Sequence, residues 1–164
     1  MSDIVFTYRY LRPIQFSLDR LEFEPQARGG ITFLFEFNKT TKQLKYMLTI
    51  CPDSENFSLE IGKKVVDGRY REDPNAMIQV ENYDESFSFI NNVCLDLENF
   101  TNRVTAEMSR NFGEIEGMKN KDVEMRFKLL SKIRKIIDRN QRTKAKAHDL
   151  IDRISEKTRT IYAG

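Results

Sequence analysis

The sequence predicts an α+β fold: an N-terminal antiparallel β-sheet of about four or five strands covered by helices, then a helical C-terminal third. Three observations carry this prediction. Residues 31–50 alternate in polarity on either side of a short polar turn. Residues 82–109, and those from 121 onward, place apolar side chains three and four apart. The net charge of +2 is divided unevenly along the chain. At 164 residues the chain can bury one sizeable core. It is organised as an acidic α+β body over 1–118 and a basic helical segment over 119–164.

The elements follow in order. Residues 3–11, rich in Val, Phe and Tyr, read as a first strand that Pro13 interrupts, because proline cannot donate to a ladder. Residues 14–24 alternate, with Leu21 and Phe23 one residue out of step with Ile14, Phe16 and Leu18. That shift marks a bulge or a tight turn. Residues 25–30 read as a loop whose two glycines can take up positive φ. Ile31, Phe33, Phe35 and Phe37 share one side of the next strand. Leu44, Tyr46, Leu48 and Ile50 share one side of its return, which Cys51 and Pro52 end. This is a β-hairpin with one buried face, set in a meander.

Residues 53–68 carry two signals. Phe57, Leu59 and Ile61 alternate as in a strand, whereas Phe57, Ile61 and Val65 are spaced by four as in a helix. Asp53 or Ser54 as cap, acids early, lysines late and a closing Gly68 favour the helix. Gly62 weakens it by about 1 kcal/mol relative to Ala. A charged loop at 70–75 precedes a short apolar run at 76–80, read as a strand. The helix over 82–109, capped by Asp84, carries Phe89, Val93, Leu97, Phe100, Val104 and Met108. Phe112 and Gly113 end it, and 114–120 is a linker. From Lys121, Val123, Phe127, Leu130, Ile133 and Ile137 form a stripe that Met125, Leu129 and Ile136 broaden. Apolar residues thin out over 138–149, then resume at Leu150, Ile151, Ile154 and Ile161.

Residues 51–69, CPDSENFSLEIGKKVVDGR, resemble a pattern found in small phage-encoded proteins of unassigned function. In that pattern a strand ends at a Cys, an acid precedes a Phe, and an Ile-Gly-basic step leads to Gly-Arg. The matching positions are Cys51, Glu55, Phe57, Ile61, Gly62, Lys63, Gly68 and Arg69. The pattern's second basic residue and its small residue are replaced or shifted here. The resemblance implies a phage origin and brings no catalytic role with it.

Chemistry-bearing constellations are few. No apolar run reaches the roughly 20 residues of a membrane span, and no basic-then-apolar leader opens the chain. Cys51 and Cys94 lie far apart in apolar surroundings, which reads as reduced, buried thiols in a cytoplasm. His148 is the one histidine and reads as surface-exposed, so neither a His-rich metal site nor a Cys–His nucleophile is expected. Phosphate-binding glycine loops are lacking, and no cofactor is expected. The carboxylate pairs Glu22 with Glu24 and Asp84 with Glu85 read as solvated surface.

The basic segment is the strongest candidate. Residues 1–118 hold 13 Lys and Arg against 19 Asp and Glu; residues 119–164 hold 14 against 6. On a helix, Lys128, Lys132, Lys135, Arg139, Arg142 and Lys146 fall on one cationic strip. Such a strip attracts phosphates or an acidic protein surface; otherwise it is a solvated face. Only Asn140 and Gln141 qualify nearby for base readout, and no aromatic interleaves. The leading expectation is a non-enzymatic interaction protein; the resemblance implies one that is phage-encoded and modulates or inhibits a host or defence protein in the host cytoplasm. The alternatives are a nucleic-acid-binding accessory protein, held through phosphate contacts, and an enzyme without recognisable motifs. No membrane partner is expected. If the last helix is continuous, Leu150, Ile151, Ile154 and Ile161 form an exposed stripe suited to a homodimer; a bend near Asn140 would instead fold it back.

Overall fold

The computed structural model describes the backbone of residues 3–111 and 120–163, and the side chains of residues 3–107 and 121–159. The predicted linker over 114–120 therefore lies almost wholly outside the described residues. The strands are β1 (Ile4–Leu11), β2 (Ile14–Ser17), β3 (Glu22–Pro25), β4 (Arg28–Asn38) and β5 (Gln43–Asn56). Helix α1 (Leu59–Glu72), a 3-10 turn (Pro74–Ala76), strand β6 (Ile78–Gln79), and helices α2 (Phe89–Asn111) and α3 (Asn120–Ala163) follow.

The α+β architecture is as predicted, but the meander is not. The main sheet is antiparallel with order β1-β4-β5-β6, and β2 and β3 form a separate two-stranded sheet. The phase shift near Asp19 is a tight turn: Leu21 has φ 55°, and its N–H donates to Ser17 O at 2.8 Å. With the β2–β3 hairpin turned out of the sheet, β1 pairs along its whole length with β4, from Ile4 opposite Asn38 to Leu11 opposite Ile31.

The expected loop at 25–30 is instead mostly strand. Gly29 and Gly30 take up φ of 77° and 143° within a bulge that starts at Arg28. The partner strand does not stop at Cys51 and Pro52. Gly30 pairs with Cys51 and Arg28 with Asn56, so residues 52–55 loop outward. The loop closes over the glycines. A Cβ on Gly29 would sit 2.7 Å from Asp53 Oδ1, and one on Gly30 would sit 2.8 Å from the Phe57 ring.

The alternation over 31–50 points to one buried face, yet both faces are covered. Ile31, Phe33, Phe35, Leu44 and Tyr46 pack with Val93 and Leu97 of α2 and with Leu130 and Ile133 of α3. On the opposite face, Leu34 and Met47 meet Val66 of α1 and Met77, with Tyr8 and Tyr70 beside them. The Tyr8 hydroxyl donates to Asp67 of α1, and burial with that carboxylate pushes the phenol up to about 12.

Helix α1 exists, but neither its ends nor its contact face are those expected. Because β5 claims residues through Asn56, the cap is Ser58, whose Oγ accepts from Ile61 N at 3.2 Å, and not Asp53 or Ser54. The helix continues past Gly68 to Glu72, which absorbs part of the expected loop at 70–75. Ile61 and Val65 are 64% and 37% exposed; the buried residues are Gly62 and Val66. Phe57 lies before the helix, edge-on to Tyr10, with the Arg12 guanidinium 4.4 Å over its ring.

The apolar run at 76–80 is the short strand β6, as expected. Helix α2 starts at Phe89 rather than 82, capped by Ser88 Oγ accepting from Asn91 N at 3.1 Å. Asp84 does not cap it; it closes a turn by accepting from Ser86 Oγ at 2.6 Å and from Ser86 N at 2.9 Å, and these bonds hold its carboxyl low. Asn92, fully buried, keeps this segment out of the helix. Its Nδ2 donates to Asp84 O and Ser88 O, each at 2.9 Å, and its Oδ1 accepts from Asp84 N. Val93, Leu97, Phe100 and Val104 are buried as expected, while the Met108 side chain lies outside the described residues.

Candidate interaction surface on the C-terminal helix

Helix α3 runs unbroken for 44 residues, about 66 Å at 1.5 Å per residue. It contains neither Gly nor Pro, and it continues through Asn140 without a break. Val123, Leu129, Leu130, Ile133 and Ile136 are buried, as the stripe predicts. Met125 departs from it and is 48% exposed.

The polar stretch after Asp138 does not run free of the body. The β2–β3 hairpin, turned out of the main sheet, lies along it. Asn140 is the clamp: its Oδ1 accepts from Ile14 N at 2.9 Å, and its Nδ2 donates to Arg12 O at 2.9 Å. Asn140 is thus spent on the link between β1 and β2 and does not serve as a base-reading side chain. Ala147 is 3% exposed, and Phe23 of β3 stacks on His148 with ring centroids 6.5 Å apart. His148 is solvent-exposed, as expected.

About a third of a turn round the helix from Asn140, Lys128, Lys132, Lys135, Arg139, Arg142 and Lys146 fall within about 80° of the helix circumference at 3.6 residues per turn. They span about 27 Å of helix axis. Two are engaged within the chain: Lys132 Nζ lies 3.0 Å from Asp53 Oδ1, and Arg139 Nη2 donates to Gln26 Oε1 at 3.0 Å. Lys128, Lys135, Arg142 and Lys146 are exposed and form no salt bridge within 4.0 Å among the described residues, although Glu124, Asp138 and Asp149 lie three or four residues from them on the same helix. Other cations of α3 are neutralised off the row, Arg134 by Glu98 at 3.3 Å and Arg153 by Asp149 at 3.1 Å.

Beyond the clamp, Leu150 is half-buried, and Ile151 and Ile154 are 39% and 48% exposed. Ile161 lies on the same helix; its side chain is outside the described residues.

The other sequence candidates resolve as follows. Glu22 and Glu24 share Arg20 at 3.8 Å each, and Glu85 lies 3.9 Å from Lys42. Cys51 and Cys94 are free thiols, half-buried rather than enclosed. Burial pushes the Cys94 thiol up. Among the described residues no group of three or more His, Cys, Asp or Glu side chains is placed to hold a metal ion, and no helix is long and apolar enough to cross a membrane.

One feature escaped the sequence reading. An open groove of about 1140 Å³ lies between β5, the end of α1 and the start of α3, with Leu48, Ile50, Met125 and Lys128 among its lining. Met125 is its only visible trace in the sequence, since the apolar stripe of α3 already occupies more than one face without it. No protein-family model, curated protein or solved structure matches this chain.

Proposed function

We propose that this chain is a non-enzymatic interaction protein that docks an acidic surface of a partner protein onto the cationic row of α3. The observation that carries the reading is the row itself. Four of its six cations, Lys128, Lys135, Arg142 and Lys146, are exposed and form no salt bridge within 4.0 Å among the described residues, on one uninterrupted helix. Six cations along one strip of the helix present a preformed positive field. The phage-like pattern over 51–69 extends the reading: the partner is a host or defence protein in the host cytoplasm, inhibited or modulated by occlusion.

Binding to nucleic acid is the second reading, favoured by the length of the same row. Since Asn140 faces inward and exposed Gln141 lies off the row, contact through the row itself would rest on phosphates and would be indifferent to sequence.

The test is the triple variant Lys135→Glu, Arg142→Glu, Lys146→Glu, which touches no buried residue. Wild-type protein should retain acidic partners from a cell lysate, identified by mass spectrometry, with retention falling as salt shortens the screening length from about 10 Å at 0.1 M to 3 Å at 1 M. The folded variant should retain none of them, and duplex DNA should bind wild type only weakly. A folded variant that keeps the same partners would reduce the row to a solvated face. Tight, salt-sensitive DNA binding by wild type, lost in the variant, would favour the second reading.

A further inference from the structure

The groove beside β5 has a property that the cationic row lacks: an unpaired strand edge forms part of its wall. Backbone groups along a strand point alternately to its two neighbours. Val80 N donates to Leu44 O at 2.9 Å, and Tyr46 pairs with Ile78, so residues 44, 46, 48 and 50 turn their backbone groups away from β4. The Leu48 carbonyl agrees, since it accepts from Arg69 Nη1 at 2.6 Å on that side. But β6 is only two residues long, because the 3-10 turn opening at Pro74 brings the chain to the edge late. Among the described residues nothing pairs with Leu48 N–H or with the N–H and C=O of Ile50. Pro52, next in the same phase, has no N–H to offer and ends the edge.

The surroundings fit an extended chain. On the α3 side the floor is apolar: Leu48 is half-buried, Ile50 is 41% exposed and Met125 48% exposed. The α3 wall above it carries Lys121, Lys128 and Lys132 against Glu124, while Glu72 and Asp73 line the side formed by the end of α1, and Lys132 is paired with Asp53. Successive residues of a strand face opposite sides, so a chain that uses both the floor and the lysines turns its apolar and acidic residues to the same side. We infer that this groove binds an extended segment of a partner protein, with apolar and acidic residues together on the side facing α3, as an added strand on β5 in line with β6. Backbone bonds to residues 48 and 50 supply the pairing; the apolar floor and the lysines select the side chains. The outer edge of β1 is longer, but Arg9 lies over it, its Nη1 donating to Tyr8 O at 3.0 Å. A charged side chain so placed is a common guard against strand addition.

The experiment titrates labelled full-length protein with a capped peptide of Val-Thr-Glu-Thr repeats, which places valine and glutamate on one face, and with its counterpart carrying lysine in place of glutamate. The inference expects amide shifts and slowed exchange at Leu48 and Ile50 with the glutamate peptide, and binding roughly tenfold weaker for the lysine peptide. Ile50→Pro removes an outward N–H without touching the β4 ladder and should abolish binding. Should that variant fold poorly, Lys121→Glu with Lys128→Glu, both exposed, should reverse the preference between the two peptides. The Lys135→Glu, Arg142→Glu, Lys146→Glu variant lies outside the groove and should bind the peptide as wild type does, which separates this inference from the reading of the row. Unperturbed amides at Leu48 and Ile50 up to millimolar peptide, protection at Phe6, Tyr8 and Tyr10 on β1 instead, or no reversal by the lysine variant would each overturn it.

Discussion

Gly62 sets helix propensity against packing, and the structure decides between them. By propensity alone, Gly62→Ala should stabilise an exposed helix by about 1 kcal/mol. In the fold, however, Gly62 is buried where α1 crosses β4. A Cβ there would lie 2.3 Å from Thr32 Oγ1, 3.0 Å from Thr32 Cβ and 3.3 Å from Thr32 Cγ2. Rotating the threonine moves Oγ1 but not Cβ, so the helix itself must lift from a sheet face where Thr32 is 1% exposed. Overpacking of this kind costs about 1–3 kcal/mol. With the propensity gain of about 1 kcal/mol partly offsetting it, a net loss of up to about 2 kcal/mol is expected. For a chain of this size that is a fall in Tm of up to about 8 °C. The assay is urea unfolding followed by far-UV circular dichroism, on Gly62→Ala, Thr32→Ala and the double variant. The pair should couple favourably by about 1 kcal/mol, because Thr32→Ala removes two of the three close atoms. A single Gly62→Ala variant more stable than wild type would refute the close crossing and restore the propensity argument.

Three further outcomes are expected. Asn140→Ala should cost about 1–3 kcal/mol by orphaning Ile14 N–H and Arg12 C=O, with amide protection lost first in the β2–β3 hairpin; uniform loss across the main sheet would contradict the clamp. Burial holds the Asp96 carboxyl above its ordinary range, so the folded state binds the proton more tightly than the unfolded one and stability declines as pH rises through that window. Asp96→Asn should therefore raise Tm at neutral pH, with the gain vanishing below the ordinary carboxylate range; a gain that persists in acid would argue against titration as its source. Ending the chain at Asp149 removes Leu150, Ile151, Ile154 and Ile161; if they pair two copies, light scattering should report a dimer for the full chain and a monomer for the shortened one, and a monomeric full chain well above micromolar concentration would exclude that pairing.

The layers were legible because their signals are local. Ile31, Phe33 and Phe35 alternate, and Val93, Leu97 and Phe100 recur at helical spacing, whatever they pack against. What was not legible depended on contacts distant in sequence. The face α1 buries is chosen by the side chain most easily approached, Gly62, and not by the more hydrophobic Ile61 and Val65. The glycines at 29 and 30 are identifiable as positive-φ residues from sequence, but the looped-out β5 segment they accommodate is not. The cap of α2 moved from Asp84 to Ser88 because Asn92, a polar residue on the inner side of a helix, bonds back to the preceding turn. The cationic row was legible from spacing alone, whereas the groove required three elements brought together from residues 46–52, 69–78 and 121–132.

The row and the groove share Lys128 and Lys132, so their occupants cannot be wholly independent. An acidic strand in the groove would neutralise the end of the row nearest β5, and an acidic partner on the row would draw the same lysines outward. Lys132 already leans on Asp53 at 3.0 Å, which leaves Lys128 as the shared free charge. Along the helix axis Lys128 is about 10 Å from Lys135, close to one screening length at 0.1 M salt. Beyond Lys135 the groove's occupant is therefore screened from the row, and Arg142 and Lys146 keep their field whether or not the groove is filled. The coupling between the two sites is consequently negative, small and reciprocal. It should disappear at high salt or when Lys128 alone is neutralised, which leaves one helix able to hold two partners at once.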